Sequence, residues 1–275
     1  IVIAPPILIT SVGACLSERS GVVNIGLEGI MLSGAFATTV VNIATGNPYL
    51  GILAGIIVGG LISLIHAVIS INLKGDQIIS GVAINLFAVA TTSFLIKTLY
   101  GVAGTTPQAP HLANKKLVLI IIYAIAILSH YLLFHTVLGL RIRAVGEHPL
   151  AADTVGISVY KIRYISVILS GMYAGLGGAY LTAVTLPSFS NNMSAGRGFM
   201  AMAAMIFGKW NPIGAILASL LFAFGQAFAD VIKASNFPIP QQFLTMIPYV
   251  LTLLALIGFV GKARAPKASG QPYDK

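Results

Sequence analysis

The sequence predicts an all-α, polytopic membrane protein. Three observations lead there. Of the 275 residues, 57% are hydrophobic and only 8% are charged, where soluble domains carry roughly a quarter charged residues. The mean hydropathy is +0.92, and a water-soluble globule of this length cannot hide that much apolar surface. The apolar residues also collect into charge-free runs near the roughly 20 residues that a spanning helix needs. These runs are continuously apolar and lack the alternation of barrel strands, so helices satisfy their backbones in lipid.

In chain order, spans are expected at 1–16, 26–46, 50–73, 77–97, 117–138, 163–185, 198–208, 212–233 and 239–260. Gly29 to Leu73 holds no Asp, Glu, Lys or Arg, and Asn47-Pro48 divides it into two helices. Gln77 to Ile96, Leu117 to Leu140, Tyr164 to Gly196, Trp210 to Ala229 and Ala234 to Gly261 are equally free of charge. The seventh span is short and ends in the turn Gly208-Lys209-Trp210-Asn211-Pro212. A re-entrant segment there, rather than a crossing, would move the C-terminus to the other side. The chain opens on Ile1 inside an apolar run, which predicts about nine spans here and ten with a missing N-terminal helix. No secretory signal peptide is visible. Residues 1–261 read as one transmembrane domain, and 262–275 as a basic, polar and disordered tail.

The net charge is +9. In a soluble chain that would suggest nucleic acid. Here the basic residues sit in short breaks between apolar runs, which is the cytoplasmic bias of Lys and Arg. With 139–162 cytoplasmic, strict alternation places Arg19, Lys74, Arg141, Arg143, Lys161, Arg163, Lys209, Lys262, Arg264, Lys267 and Lys275 inside, eleven against five outside. The C-terminus is then cytoplasmic. Cys15 is the only cysteine and lies in an apolar run; it reads as a small buried hydrophobe, with no disulfide framework.

Polar residues are scarce enough to weigh one by one. Glu28 opens a charge-free run, where an acid faces the positive end of a helix dipole, and Asn24 or Ser20 can cap free N–H groups. Polar groups at membrane depth tend to face a protein interior or a water-filled route. Asn24, Gly26 and Glu28 therefore border a translocation path or, more plainly, tighten a helix start. Asn85 and Gln226 sit in mid-span, lining a polar route or bonding a neighbouring helix. Asn191, Asn192 and Arg197 form a polar extracytoplasmic stretch that meets a partner or is simply solvated.

The most polar interior stretch runs over 141–163. Glu147 can cap a helix, Pro149 suits its first turn, Leu150 to Val155 forms the helix, and Gly156 ends it. A short helix lying along the membrane suits docking into a groove on a cytoplasmic partner; an ordinary connector is the bland alternative. Gly171 and Gly175, with Gly177 and Gly178, give the small-residue spacing of close helix packing. His130 and His135 are five apart, off the spacing of a helical metal pair, and no metal site is expected. The chain lacks a phosphate-binding Gly-x-x-x-x-Gly-Lys-Ser/Thr motif and a Gly-x-Ser-x-Gly elbow, so it should not bind ATP itself or act as a serine hydrolase.

Three blocks carry a resemblance. Glu18-Arg19-Ser20-Gly21-Val22-Val23-Asn24-Ile25-Gly26-Leu27-Glu28-Gly29-Ile30-Met31-Leu32 resembles the signature of bacterial ABC permeases for nucleosides and simple sugars. These belong with the ribose and branched-chain amino-acid permeases. Arg143-Ala144-Val145-Gly146-Glu147-His148-Pro149-Leu150-Ala151-Ala152-Asp153-Thr154-Val155-Gly156-Ile157 is similar to that family's cytoplasmic coupling segment, with His148 where many relatives carry Asn. Gly196-Arg197-Gly198-Phe199-Met200-Ala201 with Phe207 to Pro212 resembles its third block.

The resemblance implies a type II-like importer permease in a bacterial cytoplasmic membrane, translocating nucleosides or related purine or simple-sugar solutes. Its partners would be cytoplasmic ATPase subunits holding ATP and Mg, a second permease chain and an extracytoplasmic substrate-binding protein. No cofactor is expected in this chain. By position, Arg141, Arg143, Gly146, Glu147, His148, Ala151, Ala152, Asp153 and Gly156 would serve ATPase coupling. Asn24, Gly26 and Glu28 would lie near the path, and Asn191 to Arg197 would face the binding protein. The rivals are a secondary active transporter working without an ATPase, which would want ionisable residues within spans, and a membrane-embedded enzyme, which would want a nucleophile or metal set.

Overall fold

The computed structural model describes residues 2–234, 246 and 264–274. Among them the chain is helical, apart from connectors and one isolated bridge between Thr105 and Ser190. Helix α1 covers Pro5–Arg19, α2 Leu27–Thr45, α3 Pro48–Ala67, α4 Gln77–Tyr100 and α5 Lys115–His135. Then come α6 Val137–Glu147, α7 Pro149–Thr154, α8 Val159–Tyr180, α9 Arg197–Phe207 and α10 Pro212–Ala234. Single π-helical turns extend α3 over Val68–Asn72 and α8 over Leu181–Thr185.

Local chemistry sets the ends. Asn47 accepts from the N–H of Tyr49 (3.0 Å), and Pro48 sits in the first turn of α3, so Asn47-Pro48 divides two helices as expected. Asp76 accepts from the N–H groups of Ile78 and Ile79, at 2.8 and 2.9 Å, and opens α4.

Six helices are long and apolar enough to cross a membrane among the described residues: Leu27–Thr45, Pro48–Asn72, Gln77–Tyr100, Lys115–His135, Val159–Thr185 and Pro212–Lys233. They match six of the expected spans. The expected spans at 1–16 and 198–208 appear as the shorter helices α1, with 15 residues, and α9, with 11. At a rise of 1.5 Å per residue these reach only about 22 and 16 Å, short of the ~30 Å hydrocarbon layer. The span expected at 239–260 lies, apart from residue 246, outside the described residues.

Helix α8 is the axis of the bundle, with extensive contacts to α1, α2 and α3. Its glycines make this possible. A Cβ on Gly175 would stand 2.3 Å from the Gly55 carbonyl oxygen of α3, and one on Gly178 would stand 2.0 Å from the Met31 carbonyl oxygen of α2. Close backbone approach is thus what the glycine spacing supplies, and the gain is van der Waals contact that bulkier residues would forfeit. The outer helices show the opposite face: Leu86, Phe87 and Phe94 of α4 are about two-thirds exposed, as lipid-facing side chains should be.

Two expectations change. The stretch 139–162 holds more helix than the short one expected from Leu150, because α6 continues almost directly from α5. Thr136 joins them by accepting from the N–H of Gly139 (3.2 Å). The tail is not disordered over 264–274: Ala268 and Tyr273 are each 4% exposed. Composition indicated disorder, but these two apolar side chains find a pocket on the bundle.

Candidate functional site

The connector between α1 and α2 folds back alongside α4. Asn85 lies eight residues past Gln77 (85 − 77 = 8), about 12 Å along α4. Its side-chain oxygen accepts from the Gly29 N–H (2.7 Å), and its amide donates to the Ile25 carbonyl (3.0 Å). Nearer the start of α4, Gln77 accepts from the Val23 N–H (2.7 Å). Residues 20–26 are therefore irregular backbone held along the first turns of α4, a helix long and apolar enough to span, by its side chains. Irregular backbone is tolerated there only where protein buries it or where it lines a cavity.

Asn24 turns the connector by accepting from the Gly26 N–H (3.1 Å). His66 of α3 fastens it from behind. Its Nε2 lies 2.9 Å from the Val23 carbonyl, which can only accept, so Nε2 carries the proton and Nδ1 accepts from the Ser80 hydroxyl (2.9 Å).

Glu28 acts on another helix. Its carboxylate accepts from the N–H groups of Gly196 (2.8 Å) and Gly198 (2.6 Å), the first groups of α9. A carboxylate at a helix N-terminus meets both the free donors and the positive dipole end. The sequence placed Glu28 at the start of its own helix; the structure gives its charge to α9. Asn24, Gly26, Glu28 and Asn85 are thus brought together. Gln226 is not with them. It lies on α10 and lines a cavity of about 350 Å³ with Pro6, Thr185, Arg197 and Asp230.

The other end of α9 is fastened to α1. The Trp210 indole N–H donates to the Glu18 carboxylate (2.5 Å), and Arg19 Nε donates to the Trp210 carbonyl (2.8 Å). Lys209 and Trp210 both have positive φ, 56° and 54°. Such backbone costs of order 1–3 kcal/mol per residue unless its surroundings hold it, and Glu18 and Arg19 do so. Glu18, Arg19 and Trp210 all lie in blocks picked out from the sequence, but none was given this role. An acid at the end of a buried helix and the single tryptophan of the chain were the available signal.

The polar stretch folds as α6 and α7. Glu147 closes α6, and His148, not Glu147, occupies the N-terminal cap of α7, because α6 runs on to Glu147 and leaves one residue for the bend. Pro149 stands in the first turn, as expected. Gly156, at φ 83°, follows the helix in open space. Gly146 lies against the end of α1, where an added Cβ would stand 2.1 Å from the Arg19 carbonyl oxygen. Ala152 is buried, while Ala151 is exposed and flanked by exposed Leu150 and Val155. Arg143 stacks over the Phe134 ring at 5.1 Å, Asp153 is half-buried and Arg141 is exposed.

At the opposite end, residues 104–109 pair with 187–191. Asn191 N–H donates to the Gly104 carbonyl (2.8 Å), and Thr106 N–H donates to Phe189 (2.9 Å). Asn191 and Asn192 are exposed on this face. Arg197 lies deeper at the start of α9, donating to the carbonyls of Met193 and Ser194, each at 3.2 Å.

Comparison with known proteins shows the family. Residues 1–256 match the family described as "Branched-chain amino acid transport system / permease component". The chain is 44% identical to the guanosine ABC transporter permease protein NupQ of Bacillus subtilis, covering 100% of this chain and 95% of that one. It is also 44% identical to the nucleoside ABC transporter permease protein NupC of Lactococcus lactis, with the same coverage. The putative glucose ABC transporter permease protein TsgC13 of Haloferax volcanii is 34% identical, covering 80% of this chain and 72% of that one.

Proposed function

The chain belongs to the branched-chain amino-acid transport permease family, and on that premise we propose that it is the membrane-spanning subunit of an ATP-binding-cassette importer for nucleosides. One observation carries the solute: end-to-end identity of 44% to two permeases whose names specify guanosine and nucleoside. The more distant relative with a glucose name is less similar and less completely covered.

In this reading the chain supplies the path and the coupling, and hydrolysis of ATP takes place in partner subunits. The exposed side of α7, with Leu150, Ala151 and Val155, docks on the ATPase, and Ala152 anchors the helix from beneath. Glu147, His148, Asp153 and Gly156 shape that helix, while Gly146, Arg141 and Arg143 join it to the bundle. Asn24, Gly26, Glu28 and Asn85 hold irregular backbone where a route through the protein would need it. Gln226 contributes from the cavity on α10. Asn191 and Asn192 face the substrate-binding protein, with Arg197 behind them. A second permease chain closes the path.

The orientation reading places α7 and the C-terminus in the cytoplasm. It is supported by contacts that bring Arg19, Gly146, the 208–211 turn and the tail to one end of the molecule. On this reading 186–208 carries the chain between the two faces, with the 208–211 turn at the α7 end.

The test is uptake of radiolabelled nucleosides by cells carrying the chain with Glu147 to Asp153 replaced by a Gly/Ser linker. Loss of uptake together with loss of ATPase co-purification, while insertion is retained, supports the importer. Uptake at the original rate would instead favour a carrier that works alone.

A further inference from the structure

The tail crosses the end of the bundle as a band tied at several points. The Ala268 N–H donates to the Gly146 carbonyl of α6 (2.9 Å), and two residues later the Gly270 N–H donates to the Gly21 carbonyl in the α1–α2 connector (3.1 Å). Arg163 at the start of α8 is fully buried, and its Nη1 donates to the Gln271 carbonyl (3.0 Å). Tyr273 is buried in an apolar cluster with Leu16 of α1, Val145 of α6, Ala152 of α7 and Ile162 of α8, and lies edge-on to Tyr160 at 5.5 Å. Asp274 pairs with Lys74, an exposed contact that contributes little.

These ties are not those of a passive tail. A buried guanidinium must have acceptors, and Gln271 supplies one for Arg163. Tyr273 shares the apolar cluster beneath α7 with Ala152, on the buried side of the helix whose other side is exposed. The two backbone bonds join α6, through the tail, to the connector that leads to Asn24 and Glu28.

We propose that residues 264–274 are a strap that locks the α6–α7 segment to the α1–α2 connector, with Tyr273 as its positioning residue, so that displacement of α7 reaches the backbone at Asn24 to Glu28. The proposal rests on the reading of α7 as the ATPase dock. Without the strap, α7 moves against the bundle instead of with it. ATP is then hydrolysed without matching transport.

The experiment uses the assembled transporter in proteoliposomes, with radiolabelled nucleoside uptake and phosphate release measured together. Tyr273→Ala, Ala268→Pro (which removes the N–H to Gly146 and stiffens the strap backbone there) and a chain ending before Arg264 are each expected to lower nucleoside taken up per ATP hydrolysed at least fivefold. ATPase co-purification should persist. Tyr273→Phe should restore the ratio, since it keeps the ring. A normal ratio in Ala268→Pro and in the truncated chain overturns the strap. Ala151→Glu on exposed α7 separates the two readings. If it leaves ATPase capture intact, the docking reading fails and the strap with it. If it abolishes capture while Tyr273→Ala keeps a normal ratio, only the strap fails.

Discussion

The carboxylate of Glu28, in the first turn of α2, is bonded to the N–H groups of Gly196 and Gly198 that open α9, at 2.8 and 2.6 Å. A residue of one short-connector helix thereby fixes the entry of another, 168 positions later. Because α9 is only 11 residues long, this contact at its first turn sets where the chain between Leu186 and Gly208 lies against α2.

Glu28→Gln is expected to lower stability by about 1.5–3 kcal/mol, the range for hydrogen bonds to a charged group. The amide keeps one acceptor but loses the charge that faces the helix dipole. Thermal unfolding in detergent reads the change. A variant melting like the parent would show that the charge is not what holds α9.

Trp210→Phe removes the indole donor to Glu18 and leaves a buried acid unpaired, at a cost of about 1–3 kcal/mol. Glu18→Gln in the same chain should recover part of that loss, because an unpaired amide is less costly to bury than an unpaired charge. A double-mutant cycle on unfolding free energies measures the coupling, expected at roughly 0.5–3 kcal/mol. Strict additivity would deny it.

Gly175→Val places a Cβ within 2.3 Å of the Gly55 carbonyl oxygen. Helices α3 and α8 must separate, at about 1–3 kcal/mol or more, and the yield of monodisperse protein from membranes should fall sharply. Gly46→Asn is the control. It follows α2 at φ 69° with no atom near, and asparagine accepts that conformation, so yield should hold.

On α7, neighbouring alanines should behave differently. Ala152→Glu buries a carboxylate beneath the helix and should disrupt folding, whereas Ala151→Glu leaves the exposed surface folded and removes ATPase co-purification. Normal capture of the ATPase by Ala151→Glu, at normal yield, would move the docking site away from α7.

The sequence by itself determined the class of molecule and most of its helices. Length and continuity of the apolar runs leave lipid-spanning helices as the only backbone that is satisfied, and Asn47-Pro48 marks a helix boundary by local capping. The glycines of α8 announced close packing because a missing side chain can only serve backbone approach. The polar blocks around Glu28, Gly146 and Trp210 could be picked out, yet not what they touch.

Tertiary structure decided those partners. Glu28, in the first turn of α2, also serves α9, Glu18 meets Trp210, and a tail whose composition reads as solvated lies on Gly146, Gly21 and Arg163. The reason is common to all of them. Local capping and hydropathy depend on neighbours along the chain, whereas a buried charge or amide takes whichever donor the fold brings within hydrogen-bond reach. Only the crossing of distant helices settles which one that is.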